Sequence, residues 1–138
     1  MSAKLNSVIF IHGLWIHASA WQPWLELFTE RGYAVSAPGW PGDGDTVAET
    51  RGNADALNGV GIEAIVNHYV EIIDAGGKHQ AKPVVIGHSF GGLIAQELLA
   101  GGHVAAAVAI DPAPIKGVKA LPWAQLRSAF PVLGNRAN

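Results

Sequence analysis

The segment from Pro83 to Leu99 restricts the fold of this sequence more than any other. Val84-Val85-Ile86 is an unbroken apolar run, which is typical of a parallel strand buried on both faces. A glycine-rich turn, Gly87-His88-Ser89-Phe90-Gly91, follows at once, and a helix-forming run comes after it. The segment therefore predicts a strand, a sharp turn and a helix. Such a turn holds its serine in a strained backbone conformation that lifts the hydroxyl out of the sheet.

The rest of the chain alternates strand-like and helix-like segments. The apolar spacing predicts strands at 8–11, 33–37, 84–86 and 104–110, and helices at 19–31, 62–73 and after Ser89 up to Gly101. Ser19-x-x-Gln22 and Thr46-x-x-Glu49 have the form of capping boxes, 51–61 is predicted as loop, and a short helix is predicted at 123–128. This alternation is typical of right-handed βαβ units. The predicted fold class is α/β, a parallel sheet with helices on both faces.

The predicted loops at one edge of the sheet carry the unusual residues. Ligands of open parallel sheets bind beyond the carboxyl ends of the strands. The loops at His12-Gly13, Pro38–Asp45, Ser89 and Asp111 all follow the carboxyl end of a predicted strand. We therefore expect the functional site at this edge.

The composition excludes several classes of protein. Hydrophobic residues make up 49% of the chain and charged residues 14%, the opposite of a disordered composition. A net charge of −2, with scattered Lys and Arg, argues against a nucleic-acid or membrane partner. The absence of cysteine excludes disulfides and thiolate chemistry. We expect no metal and no organic cofactor and, because no signal peptide or membrane span is apparent, a cytoplasmic protein.

Four motifs occur in a recognisable order. They are a strand ending in His12-Gly13, a Trp-bearing helix, Tyr33-Ala34-Val35 leading to Pro41-Gly42-Asp43-Gly44, and Gly87-His88-Ser89-Phe90-Gly91-Gly92. Together they resemble the α/β-hydrolase superfamily, and more narrowly its cap-bearing, esterase- and lipase-like members. The resemblance covers essentially the whole chain and implies a hydrolase-type sheet truncated after about four strands. Residues 1–114 are then expected to form the N-terminal part of the core, and residues 115–138 the start of a cap or linker.

The resemblance also implies a chemistry. Ser89 would be the nucleophile that forms an acyl-enzyme with a carboxylic ester or a related small-molecule acyl substrate. The backbone N–H groups of Leu14 and Phe90 would form the oxyanion hole. The residues expected to line the site are His12, Trp15, His17, His88 and Asp111. Trp40 is a further candidate for an apolar acyl pocket, whereas Trp21 and Trp24 are expected in the core.

The sequence departs from the family where the catalytic acid and histidine are expected. In α/β-hydrolases both follow the nucleophile along the chain, but no histidine follows His103 here. The chain looks like the first half of a hydrolase, which indicates a truncated chain, a proteolytic fragment or a broken reading frame. Alone it is expected to be nearly inactive.

The histidines present offer few substitutes for that base. His17, in a loop at the catalytic edge, is the candidate substitute, with Asp111 as the acid that orients it. His12 is interpreted as a brace of its loop, His88 as a packing residue, and His68 and His79 as surface residues. An Asp-Pro turn is the simpler interpretation of Asp111, and the Asp43/Asp45 segment is interpreted as a turn rather than a cation site.

Two alternative functions remain open. Cofactor-free oxygenases and perhydrolases share this scaffold, so the fold alone does not determine the reaction. The chain is also consistent with a catalytically inert half-domain, because strand 104–110 would be a long apolar edge that pairs with another chain. We therefore expect a homo-oligomer or a complex with the complementary C-terminal half.

Overall fold

The computed structural model of the protein describes residues 7–77 and 81–118, together with residues 123, 124 and 127. The described strands are β1 (Ser7–Ile11), β2 (Ala34–Ser36), β3 (Val84–His88) and β4 (Ala106–Ile110). The described α-helices are α1 (Gln22–Glu30), α2 (Val47–Gly52), α3 (Ile62–Ala75) and α4 (Phe90–Ala100). Two 3₁₀ turns, Ala18–Trp21 and Ala54–Leu57, precede α1 and follow α2.

The four strands form one parallel sheet in the order β2-β1-β3-β4. In the central pair, Ile9 of β1 lies opposite Val85 of β3, and Ile11 lies opposite Gly87. The predicted α/β class is therefore confirmed. Because every strand runs the same way, the loops after β1, β2, β3 and β4 all begin at one edge of the sheet.

Helices cover both faces of the sheet, as predicted. The alternation of side chains along β1 sends Val8 and Phe10 to one face, where they pack with Trp21 and with residues of α1. The edge of the Phe28 ring packs against Phe10, with ring centroids 5.3 Å apart. The other face carries the larger cluster, in which strand residues meet α3 and α4 through Ile9, Ile11, Ile65, Tyr69, Val85, Ile94 and Leu98.

The start of α1 differs from the prediction. The sequence predicts a helix from Ser19, capped by a box formed with Gln22. Instead a 3₁₀ turn occupies Ala18–Trp21, and the His17 ring caps it by accepting the Ser19 N–H over 3.1 Å. Serine is a more common capping residue than histidine, so the Ser19-x-x-Gln22 motif predicted Ser19 as the cap, whereas the structure uses His17.

Of the other local predictions, one capping box is confirmed and one loop is wrong. The capping box at Thr46 is confirmed, because Thr46 Oγ1 accepts the Glu49 N–H and Glu49 accepts the Thr46 N–H, each over 3.1 Å. The predicted loop at 51–61 instead contains the end of α2 and the Ala54–Leu57 turn. Of the short helix predicted at 123–128, the structure describes residues 123, 124 and 127, which are helical, whereas His79 and most of the 115–138 segment lie outside the described residues. None of the described helices is long and apolar enough to span a bilayer.

Tyr69 links α3 to the loop after β2. Its side chain is fully buried, and its hydroxyl donates to the Pro38 carbonyl over 2.8 Å. Burial raises the pKa of the Tyr69 phenol above its usual 10.0, and the nearby Asp43 charge raises it further. Above about pH 10 the unfolded chain therefore loses this proton while the folded chain keeps it, so stability falls as pH rises.

We predict that Tyr69→Phe lowers the free energy of unfolding by about 1–2 kcal/mol near neutral pH, because the Pro38 carbonyl loses its donor. The variant should also lose less stability than the wild type as the pH is raised above about 10, since it has no phenol to ionise at this site. Urea unfolding at a series of pH values measures both effects. Tyr33→Phe, at the 39% exposed tyrosine, is the matched control and should change neither. An equal alkaline loss in wild type and Tyr69→Phe would contradict the assignment.

Strand β4 lies at one end of the described sheet, and its Val108 side chain is 46% exposed. An exposed apolar edge strand pairs readily with another strand. We predict that the chain sediments as a dimer or a larger assembly at micromolar concentration, and that Val108→Lys shifts it towards the monomer. Val118→Lys, at a 50% exposed valine beyond β4, is the matched control and should have no effect. A monodisperse wild-type monomer would contradict this prediction.

Candidate active site

Ser89 occupies the turn between β3 and α4 in a backbone conformation that L-residues rarely adopt, with φ 56° and ψ −120°. Backbone hydrogen bonds hold it there. Its N–H donates to the Ile110 carbonyl over 3.0 Å, and its carbonyl accepts the N–H of Gly92 over 3.0 Å and that of Ala113 over 2.9 Å. The end of β4 and the start of α4 therefore fix the position of this serine.

Close backbone contacts explain the glycines around the serine. A Cβ on Gly91 would overlap the Ile11 carbonyl, so α4 begins directly against the end of β1. The loop after β1 is then in contact with the serine, because a Cβ on Gly13 would lie 2.9 Å from Ser89 Cβ and 3.4 Å from Ser89 Oγ. A larger residue at either position would push this loop away from Ser89.

Two backbone N–H groups belong to residues next to Ser89 or next to a residue that packs on it. Phe90 is the first residue of α4, where N–H groups have no partner within the helix. Leu14 follows Gly13, which packs on the serine side chain. No other described residue accepts a hydrogen bond from the N–H of Leu14 or Phe90. Both N–H groups are therefore available to a ligand at this edge.

A buried network ties the loop after β1 to the loop after β2. His12 is 3% exposed, and its Nε2 donates to Oδ2 of Asp43 over 2.9 Å. The same carboxylate oxygen accepts the Trp40 N–H over 2.7 Å, and the Trp40 indole stacks on the His12 ring with centroids 5.0 Å apart. His12 Nδ1 lies 2.9 Å from the Gly13 carbonyl oxygen, so the ring is held between this carbonyl and the Asp43 carboxylate.

Among the described residues, no histidine ring forms a hydrogen bond with the Ser89 hydroxyl. His17 Nε2 donates to the Gly44 carbonyl over 3.0 Å, and Nδ1 accepts the Ser19 N–H. His68, predicted on the exposed face of its helix, is instead half-buried and donates to the Gly39 carbonyl over 3.1 Å. His88 is half-buried beside Ser89. The ring of His17 therefore braces the Gly44 loop.

Trp15 and Asp111 share the strained conformation of Ser89. Among the described residues these three are the non-glycine residues with positive φ, at 62° for Trp15 and 41° for Asp111. Each lies in a loop after a strand, and Trp15 is 74% exposed while Asp111 is exposed. Strained residues cluster at functional sites, and these mark the carboxyl edge of the sheet as the site.

Two cavities open at this edge. The smaller, of about 230 Å³, is lined by His88 and Ile110 next to Ser89 and by Ile16, Trp21 and Trp24. Trp24 was expected in the core, but it is 42% exposed and forms part of this wall. The larger, of about 820 Å³, shares His12, Gly13, Ile16 and Ala20 with it and extends to α2 and the Ala54–Leu57 turn.

A metal site is not formed by the described residues, in which no three His, Asp or Glu side chains are grouped so that they could hold an ion. Asp43, interpreted from the sequence as a turn residue, accepts hydrogen bonds from His12 and from the Trp40 N–H. Asp45 is exposed.

The model of the Alpha/beta hydrolase family matches residues 8–137, nearly the whole chain. This chain belongs to that family. No curated protein matches this hydrolase chain at a significant level. The strand–turn–helix at Ser89 and the glycine loop beside it are therefore features of an α/β-hydrolase.

Solved structures of hydrolases are similar to this hydrolase chain. An extracellular alpha/beta-hydrolase from a Paenibacillus species is 25% identical, with a TM-score of 0.67 over 94% of this chain and 53% of that one. A monoacylglycerol lipase from Paleococcus ferrophilus is 27% identical, with a TM-score of 0.61 over 98% of this chain and 51% of that one. An epoxide hydrolase from Vigna radiata is 22% identical, with a TM-score of 0.67 over 93% of this chain and 40% of that one, and shares the fold. The hydrolase chain thus spans about half the length of these proteins.

We predict that Asp43→Asn destabilises the hydrolase chain by about 1–2 kcal/mol, because the amide oxygen can accept the two hydrogen bonds that Oδ2 accepts but lacks the negative charge that strengthens them. The urea midpoint, measured by tryptophan fluorescence, reports the loss. Asp45→Asn, two residues away and exposed, is the matched control and should stay within about 0.5 kcal/mol of the wild type. Equal midpoints for the two variants would show that the His12–Asp43 contact does not stabilise the fold.

Proposed function

We propose that this α/β-hydrolase is a serine hydrolase that acts on a carboxylic ester, or a related acyl substrate, through an acyl-enzyme on Ser89. The observation that carries the proposal is the Ser89 backbone, held at φ 56° on a strand–turn–helix with Gly13 packed against its side chain. Such a geometry supports a hydroxyl that is lifted out of the sheet, near two N–H groups that have no hydrogen-bond acceptor among the described residues.

In the proposed reaction, Ser89 Oγ attacks the carbonyl carbon of the ester while a base takes the hydroxyl proton. The carbonyl oxygen becomes an oxyanion, which accepts hydrogen bonds from the N–H groups of Leu14 and Phe90. Each such donor lowers the barrier by about 3 kcal/mol in serine hydrolases where it has been removed. The positive end of the α4 dipole adds to this stabilisation. The alcohol then leaves with a proton, and water releases the acid from Ser89.

The smaller cavity is the proposed site for the acyl group. It adjoins the nucleophile, because His88 precedes Ser89 and the Ile110 carbonyl accepts the Ser89 N–H. Its walls are largely the apolar side chains of Ile16, Trp21 and Trp24. At about 230 Å³ the cavity suits a short acyl chain or a single ring. The likeness to a monoacylglycerol lipase also supports an ester substrate.

The base is proposed to come from another chain or from a complementary C-terminal half. A serine hydroxyl is a weak nucleophile at neutral pH and needs such a base. Both ring nitrogens of His17, the candidate base from the sequence, are hydrogen-bonded. Its Nε2 donates to the Gly44 carbonyl, and its Nδ1 accepts the Ser19 N–H. The sequence after Asp111 contains no further histidine. The given chain therefore supplies the nucleophile and the oxyanion donors.

The test is labelling with a neutral fluorophosphonate, followed by intact mass spectrometry with and without added imidazole. We predict slow formation of one adduct on the wild type, because phosphorus replaces the Ser89 hydroxyl proton and fluoride leaves. Imidazole should accelerate the reaction by acting as the missing base.

The controls separate Ser89 from other serines. Ser89→Ala should form no adduct, whereas Ser36→Ala, at an exposed serine of β2, should be labelled like the wild type. An adduct of equal yield on Ser89→Ala, or none at any imidazole concentration, would overturn the proposed function. Fast labelling that imidazole does not change would place the base within this chain, and His17→Ala should then slow it.

A further inference from the structure

We propose that the larger cavity binds an apolar molecule that carries one carboxylate, and that the Arg51 guanidinium recognises this group. If Ser89 acts as proposed above, the substrate class is an ester whose apolar body ends in a carboxylate. The proposal that a carboxylate binds here depends only on the cavity, whereas the substrate class depends on the proposed function.

The size and walls of the cavity are those of a small-molecule site. Its volume is about 820 Å³, within the roughly 300–1,000 Å³ range of such sites. It begins at Gly13, which contacts Ser89, and extends to α2 and the turn that follows it. Most of its wall is apolar, formed by Leu14, Trp15, Ile16, Trp40, Leu57 and Val60.

Most polar side chains of the wall already have partners within the chain. Asp43 accepts from His12 Nε2 and from the Trp40 N–H. His17 donates to the Gly44 carbonyl. Thr50 Oγ1 accepts the Gly44 N–H over 3.0 Å and donates to the Thr46 carbonyl over 3.1 Å. A ligand therefore gains little from these groups, because their hydrogen bonds are made.

Two donors of the wall lack an acceptor among the described residues. Arg51, at the end of α2, pairs with no carboxylate there, since the described ion pair is the one between His12 and Asp43. The Glu49 carboxylate, two residues earlier, accepts the Thr46 N–H in the capping box. The indole N–H of Trp40 is buried without a hydrogen-bond partner. The Trp40 Nε1 atom is buried away from the cavity, so the donor that a ligand can reach is the exposed Arg51 guanidinium, which favours an oxygen acceptor.

The charge of the wall indicates a carboxylate as the acceptor. The Asp43 carboxylate is already paired with the His12 ring, whereas the Arg51 guanidinium pairs with no carboxylate among the described residues. A guanidinium presents two parallel N–H groups that match the two oxygens of a carboxylate. One carboxylate balances this charge, while the apolar walls accept the rest of the molecule.

The test compares 4-phenylbutyrate with its neutral analogue 4-phenylbutyramide by isothermal titration calorimetry on the full chain. We expect the acid to bind roughly five- to tenfold more tightly than the amide at low salt, since the pair is partly exposed, and this preference to shrink as salt is added. Arg51→Gln should abolish the preference, and Arg51→Lys should keep part of it. Arg31→Gln, at an exposed arginine that lines neither cavity, should keep all of it.

Equal binding of acid and amide, binding of neither, or an undiminished preference in Arg51→Gln would each overturn this proposal. An equal loss of the preference for the acid in Arg31→Gln would also overturn it, because the preference would then arise from the net charge of the chain and not from the cavity. Calorimetry with these probes involves no reaction at Ser89. A carboxylate preference without fluorophosphonate labelling would therefore support the binding site and contradict the proposed hydrolase reaction. Labelling of Ser89 without a carboxylate preference would support the reaction and contradict the binding site.

Discussion

The close approach of α4 to the end of β1 determines the geometry of the site. The Gly91 backbone lies against the Ile11 carbonyl, at a separation that leaves no room for a Cβ. Because β1 and β3 are neighbours in the sheet, with Ile11 opposite Gly87, this contact aligns the ends of the two strands. The loop after β1 passes close to Ser89, with Gly13 against its side chain. Ser89 and the loop after β1 are thus positioned by one backbone contact.

The strain at Ser89 is balanced by the strand that follows it in the sheet. A serine at positive φ costs on the order of 1–3 kcal/mol, and hydrogen bonds of about 1 kcal/mol each offset it. Two of these bonds come from Ile110 and Ala113, on either side of Asp111. The left-handed conformation of Asp111 turns the chain so that both bonds form at once. This arrangement favours the interpretation of Asp111-Pro112 as a turn, and it gives β4 a direct role in holding Ser89.

Local patterns were sufficient to predict β1, β3, α3 and α4 to within a few residues, because apolar periodicity and the glycines that end helices are short-range signals. The parallel sheet and the position of Ser89 followed from their order along the chain. The strained conformation of Ser89 was predicted for the same reason, since one strand–turn–helix motif requires it.

The features that sequence reasoning missed depend on distant residues. His12 and Asp43 are 31 residues apart, and each was interpreted within its own loop. Their meeting follows from the pairing of β1 with β2, which brings the loops after both strands together. The same is true of His17, whose ring reaches the Gly44 carbonyl and so displaces Ser19 as the cap of the turn before α1. A helix-capping motif cannot report such a contact, because its partner is not local.

The hydrogen-bonding character of the catalytic edge connects the two proposals. Among its groups without a described partner are several donors, namely the N–H groups of Leu14 and Phe90, the Trp40 indole and the Arg51 guanidinium. The Asp43 carboxylate and the His17 Nδ1, in contrast, are already bonded. Donors of this kind would stabilise negative charge on a substrate, and they cannot take the proton of Ser89. The physical reason to seek the base elsewhere is therefore the same as the reason to expect an anionic ligand.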